Sequence, residues 1–246
     1  QNRKRIKKMN HLALGPKKKR KLKEEDPTDQ ESPLEEEEVN YLDPLKLLPA
    51  LFGGELTKKE ELRLTGIYGT INEERCLEAI YSLHILFLSG KHLISTDPKD
   101  PDSPMIDAYE PIDFMVSSYG GSAAEMFGVY DTIREMKKKC EIRTIGLGKV
   151  MSAGVLLLAC GTKGTRKIGV NCRVMIHGVI SGQHGSLHDV ENEFEEAKQT
   201  QAAYVKALAE NSNMKPSYIK KLIQRKTNVY LNAQEAVELG IADIII

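Results

Sequence analysis

The chain has 246 residues, 41% of them hydrophobic, and its 35 basic and 35 acidic side chains give a formal net charge of zero. That is enough for one ordinary core plus a tail, and no nucleic-acid partner is expected. No apolar stretch reaches the about 18 residues that a membrane helix requires, and the four cysteines show neither C-x-x-C pairing nor zinc-ligand spacing, so no membrane, disulfide framework, metal or cofactor is expected.

The charges are unevenly placed. Lys and Arg crowd residues 3–23 and acids crowd residues 24–38, with almost no apolar periodicity. Residues 1–40 are therefore expected to be a disordered charged tail, because such a segment buries too little to offset its ordering entropy. Pro16 to Lys21 matches a basic nuclear-import pattern, but the acidic block that follows directly favours a solvated tail. Neither block has the apolar core of a secretory signal. Residues 41–61 hold Leu42, Leu45, Leu47, Leu48, Leu51 and Phe52, interrupted by Pro44 and Pro49, which predicts a docking or axial segment ending at Gly53-Gly54.

From residue 62 to 246 strands and helices alternate. Arg63 to Gly69 reads as a strand, and Asn72 to Ser89 as a helix with Leu77, Ile80, Leu83, His84 and Phe87 on one face. Residues 90–111 contain three Pro within Asp97 to Pro104 and read as a long surface loop. Ile112 to Val116 is a buried strand and Ser118-Tyr119-Gly120-Gly121 a turn. Ser122 to Lys138 is a helix with Met126, Val129, Tyr130, Ile133 and Met136 inward, and Ile142 to Leu147 the next strand. Val174 to Ile176 is another strand, followed by a long amphipathic helix from Leu187 to Leu208 that could protrude onto another subunit. Pro216 to Gln224 and the segment capped by Asn232 and closed by Gly240 are further helices, and Ile241 to Ile246 is a last strand.

The chemistry sits at two strand ends. Gly148 to Gly154 places Ser152 between glycines, before the apolar run Val155 to Ala159, which predicts a tight strand-to-helix turn with backbone N–H groups facing whatever lies before the serine. His177 follows 25 residues later, at the end of Arg173-Val174-Met175-Ile176. A serine hydroxyl needs an adjacent imidazole to take its proton, and both residues fall past strand C-termini, where open α/β sheets place their sites. Taken alone, Ser152 is more often a helix-start residue and His177 a core histidine. Lys149 offers a Ser–Lys alternative, disfavoured by its three-residue offset. His184 and His188 read as surface residues.

In one order, these segments resemble the proteolytic subunit of the Clp ATP-dependent protease family. Ser118-Tyr119-Gly120-Gly121 is similar to its Ser-Pro-Gly-Gly turn, Tyr130 to Ile133 to the following helix, Gly148-x-x-x-Ser152 to its nucleophile turn and Arg173 to His177 to its base strand. Gly182-Gln183-His184-Gly185 is similar to its Gly-rich strand, and Leu231 to Gly240 to its terminal Leu-Ser-Ala-x-Glu-Ala segment. The resemblance implies a crotonase-like α/β subunit of repeated β-β-α units with a protruding handle helix. It implies stacking as two heptameric rings, a homo-oligomeric tetradecamer enclosing a chamber that an AAA+ unfoldase feeds with polypeptides for cleavage to short peptides. Ser152 would be the nucleophile, His177 the base, Gly121 and Ala153 the oxyanion hole, and Gly182, Gln183, His184 and Gly185 the substrate strand. The implied setting is cytoplasmic, or an organelle matrix or plastid stroma.

Three departures qualify it: Asn228 where the family's triad has aspartate, Tyr119 where proline is usual, and the atypical N-terminus together with the 90–111 segment. An asparagine carbonyl can accept the imidazole N–H but supplies no charge, so attenuated serine-type endopeptidase activity is expected. The competing readings are a weakly active or structural subunit of a mixed ring, a phage or organelle maturation protease, and an acyl-CoA enzyme of the same fold, against which the nucleophile turn argues.

Overall fold

The computed structural model describes residues 62–246 except Gln183 and Lys226, so the charged tail and the 41–61 segment lie outside the described residues. Its spine is a mostly parallel sheet. Strand β1 (Leu64–Ile71) pairs with β4 (Ile112–Gly121), β4 with β5 (Ile142–Met151), β5 with β6 (Lys167–Ile168), and β6 with β9 (Ile244–Ile245), all parallel. β5 serves two neighbours. Ile145 and Gly146 face β6, whereas Lys149 to Met151 pair with β7 (Arg173–Ile176), to which β8 (Val229–Leu231) adds antiparallel. Gly148, at φ 67°, turns β5 from one partner to the other in a conformation that glycine adopts without penalty.

The helices cover this sheet through apolar faces. Helix α1 (Glu73–Ser89) is capped by the Asn72 side chain and α2 (Ala123–Met136) by Ser122. All five residues expected inward on α2 are buried: Met126, Val129, Tyr130, Ile133 and Met136. On α1 the buried stripe is Cys76, Ala79 and Leu83, while Leu77 and His84 are exposed. Leu77 and His84 form a second stripe, offset by one residue or about 100°, and packing against α2 and β1 selects the first. Helix α3 (Ala153–Ala159) is buried at every position and forms the centre of the core.

Residues 90–111 are not a single loop. β2 (Lys91–Ser95) and β3 (Met105–Tyr109) form an antiparallel hairpin separate from the main sheet, which leaves only 96–104 as loop. The proline- and aspartate-rich tip masked the flanking segments, whose strand character depends on their mutual pairing. The hairpin base is fixed by the Phe87–Tyr109 stack, with centroids 4.3 Å apart, and by Arg63, which donates to the Pro111, Leu86 and Glu110 carbonyls. Two other expectations shift: β4 runs through Ser118 to Gly121 as a strand with a register shift instead of ending in a free turn, and the last strand shortens to Ile244–Ile245.

The C-terminal part begins with α4 (Leu187–Glu210), opened by a Ser186/Asp189 capping box. Only its last turns are buried, at Tyr204, Val205, Ala207 and Leu208; Leu187 and Phe194 are 71% and 60% exposed. Then come α5 (Pro216–Ile223) and α6 (Ala233–Glu238), the latter with an Asn232/Glu235 capping box and Gly240 beyond its end at φ 70°. One ion pair, of buried Arg166 with partly buried Asp243, ties this part to the sheet. Arg166 is 3% exposed and binds both Asp243 oxygens, at 2.7 and 2.5 Å, while its Nη1 donates to the Ala159 and Asn211 carbonyls. The end of α3, the cap of α4 and the approach to β9 thus meet on one guanidinium.

Candidate active site

Ser152 occupies the junction between β5 and α3, with φ 55° and ψ −123°, the only non-glycine at positive φ among the described residues. Backbone strain of this kind persists only where neighbours over-determine it. The Ser152 N–H donates to the Met175 carbonyl on β7 at 2.7 Å, and its carbonyl accepts from Val155 N–H at 3.0 Å and from the Tyr204 hydroxyl at 3.2 Å. The strand, the next helical turn and α4 therefore all hold the residue in place, half-buried in the lining of a cleft.

The facing wall is the end of β4. Ser118 is fully buried; its hydroxyl donates to the Gly69 carbonyl at 2.5 Å and accepts from Gly120 N–H at 2.9 Å. This clamp, with the register shifts in β1 and β4, brings Gly120 against the serine. A Cβ at Gly120 would stand 2.5 Å from Ser152 Cβ and 3.0 Å from its Oγ, at a φ of 97°. Gly120→Ala is expected to displace the hydroxyl and slow its reaction with a fluorophosphonate probe by about 10²-fold; an unchanged labelling rate would show that the wall yields without moving Ser152. Gly121 is also confined, since a Cβ there would lie 2.1 Å from the Ile71 carbonyl oxygen.

His177 is the first residue past β7, half-buried, and it borders the same cleft of about 390 Å³ as Tyr119, Gly121, Ser152, Ala153 and Tyr204. Its Nδ1 lies 2.5 Å from the Gly178 carbonyl oxygen. A carbonyl only accepts, so this contact assigns the proton to Nδ1 and leaves Nε2 with the lone pair that a base requires. Asn228 precedes β8, and continuing the Ile176↔Val229 register by one step sets it opposite His177. It is exposed. Among the described residues no hydrogen bond joins His177 to Ser152 or to Asn228.

The other expected site residues are dispersed. Ala153 opens α3 beside the serine, whereas Gly182, His184 and Gly185 are exposed on the connector before α4, where they pair with nothing described in the chain; Gln183 lies outside the described residues. His188 is exposed, 3.9 Å from Glu191. Asp243, bound to Arg166, is committed elsewhere. Lys149 makes no hydrogen bond to Ser152; its ammonium rests on the Tyr119 and Tyr68 rings. The cysteines are no rival nucleophiles: all four are buried, and burial pushes the Cys160 thiol up to about 12 and those of Cys76 and Cys172 to about 11. Among the described residues no group of acidic, His or Cys side chains could hold a metal, and no helix is long and apolar enough to cross a membrane.

Tyr204 lies within the amphipathic Leu187 to Leu208 helix and is not among the site residues expected from the sequence. Its hydroxyl belongs to the site, where burial raises the phenol pKa and keeps it a neutral donor to Ser152. A buried tyrosine needs a partner for its hydroxyl, a signal that marks a requirement without naming who meets it.

A family model described as Clp protease matches residues 105–246. The match begins at β3 and runs through both strand ends that carry Ser152 and His177 to the last residue, more than half of the sequence. The chain is therefore a member of the Clp protease family.

Proposed function

We propose that this chain is a serine endopeptidase subunit of a self-compartmentalising, ATP-dependent Clp-type protease. The observation that carries the reading is the strained Ser152 sharing a cleft with His177 and with Gly121 and Ala153. In the reaction, His177 Nε2 takes the Ser152 Oγ proton as Oγ attacks the scissile carbonyl carbon. The N–H groups of Gly121 and Ala153 stabilise the resulting oxyanion. The imidazolium returns the proton to the amine as the C–N bond breaks, and water, deprotonated by the same nitrogen, then hydrolyses the acyl-enzyme.

The Gly178 carbonyl takes over part of the work of the usual carboxylate, and Asn228 takes none of it through a hydrogen bond among the described residues. The Gly178 carbonyl fixes the tautomer, so part of the cost of a missing aspartate is avoided, but among the described residues no carboxylate is paired with His177. Asn228→Asp is accordingly expected to raise kcat/KM by about tenfold or more, within the about 10⁴-fold span attached to that position in serine proteases. No gain, with the fold intact, would mean that residue 228 does not act on His177.

The exposed apolar residues on the first turns of α4, Leu187, Val190 and Phe194, support assembly through this helix into stacked heptameric rings, with an AAA+ unfoldase supplying unfolded polypeptide. A second reading, a structural subunit of a mixed ring, draws on Asn228, which is exposed and makes no side-chain hydrogen bond among the described residues. Fluorophosphonate labelling of the assembled protein, mapped by mass spectrometry, separates the two: an adduct on Ser152 supports the peptidase, and assembled rings without one support the structural subunit.

A further inference from the structure

Tyr119, the residue standing in the proline position, borders the cleft beside Ser152. The Lys149 ammonium lies 4.5 Å from the centroid of its ring and 4.9 Å from that of Tyr68. The three side chains come from the adjacent strands β4, β5 and β1, near the C-terminal ends that also carry the nucleophile. Both rings are largely exposed, at 66% and 70%, so they are not there to fill the core. None of the ion pairs among the described residues includes Lys149.

Aromatic faces attract an ammonium without neutralising it. They also remove rotamer freedom that a lysine would otherwise lose on binding an anion. An ordered, uncompensated positive charge three residues before the nucleophile is therefore prepared for a carboxylate, and Tyr119 brings that charge to the edge of the peptide cleft. We propose that Lys149, ordered by Tyr68 and Tyr119, forms a carboxylate-selecting subsite that favours acidic peptides. The carboxylate is an Asp or Glu side chain near the scissile bond or the free C-terminus of a short peptide. This rests on the peptidase reading above and names its substrate class.

The test measures binding, so that it stands apart from turnover. Assembled Ser152→Ala protein is titrated with rhodamine-labelled, C-terminally amidated peptides that differ only in one Glu or Gln, moved along the sequence, and with the Gln peptide bearing a free C-terminus. Fluorescence anisotropy at low salt is expected to show at least one acidic peptide bound about three- to fivefold more tightly than its neutral twin, the scale of a partly exposed charge pair. The ratio should fall to about one in Lys149→Met, persist in Lys149→Arg, whose guanidinium also stacks on aromatic rings, and shrink as salt rises. The peptide showing the preference tells whether side chain or C-terminus is read. A ratio of one for every acidic peptide overturns the proposal, as does a ratio that survives Lys149→Met or, should that variant not fold, one indifferent to salt. Failure to bind any peptide also overturns it; hydrolysis of the neutral peptide by the Ser152-bearing chain then decides separately whether the peptidase reading stands.

Discussion

Ser152→Ala is expected to lower peptide hydrolysis by the assembled protein at least about 10²-fold. Loss of the nucleophile from a full triad costs about 10⁶ in kcat, and a neutral third residue can already have cost about 10⁴, which sets the lower bound. Because the Gly178 carbonyl supplies the tautomer that an unassisted imidazole would lack, the starting rate is higher and the observed fall larger than that bound. The measurement is initial-rate hydrolysis of a fluorogenic peptide by equal concentrations of assembled native and variant protein. Activity that survives the change would remove Ser152 from its role as nucleophile.

The same position links catalysis to stability. Ser152 sits at φ 55°, where a side chain costs about 1–3 kcal/mol that glycine does not incur, against about 0.5–1 kcal/mol of extra chain entropy for glycine. Ser152→Gly should therefore lose the activity as Ser152→Ala does, yet unfold at a higher temperature than Ser152→Ala, which keeps the strained Cβ. On the proposed peptidase reading, the strain holds the nucleophile's hydroxyl in place.

The largest effect on stability is expected at Arg166. Arg166→Met leaves Asp243 without its cation and the Ala159 and Asn211 carbonyls without their donor, in a site where Arg166 is 3% exposed. Removing one partner of a buried pair costs about 3–5 kcal/mol, to be read as a shift of the urea midpoint at fixed protomer concentration, since assembly adds its own stabilisation. The double change Arg166→Met with Asp243→Leu should recover much of that loss, because it removes the stranded charge as well.

Acidity gives an independent check on the pair. Partial burial raises the Asp243 pKa, but the side-chain and backbone hydrogen bonds from Arg166 and the Gly164 N–H outweigh it and hold the carboxyl below its ordinary 3.8. A depressed folded pKa means that the contribution is complete above the unfolded value and is lost as pH falls through the folded one. The gap between native and Arg166→Met stability should accordingly be constant near neutrality and close below about pH 4. A gap that instead widened in acid would contradict the assignment.

What the sequence determined by itself is what depends on neighbours along the chain. The inward stripe of α2 follows from residues recurring at three and four, the capped starts at Asn72, Ser122 and Asn232 from short polar side chains before apolar runs, and the Ser152 turn from glycines ahead of Val155 to Ala159. The family was also within reach, because its motifs keep one order.

The tertiary structure alone decided what depends on a distant partner. The β2–β3 hairpin, two-residue β6 and three-residue β8 are strands only because something pairs with them, and their own residues carry too little periodicity to say so. Leu77 and His84 turned outward because α2 and β1 bury the adjacent stripe of α1. Within the site, the sequence supplied Ser152 and His177, whereas the Gly178 carbonyl on Nδ1, the Tyr204 hydroxyl on the Ser152 carbonyl and the two rings on Lys149 arise from contacts between elements remote in sequence or from the path of the backbone past β7. Spacing along a chain specifies which groups are available; only the closed fold sets which of them lie within bonding distance.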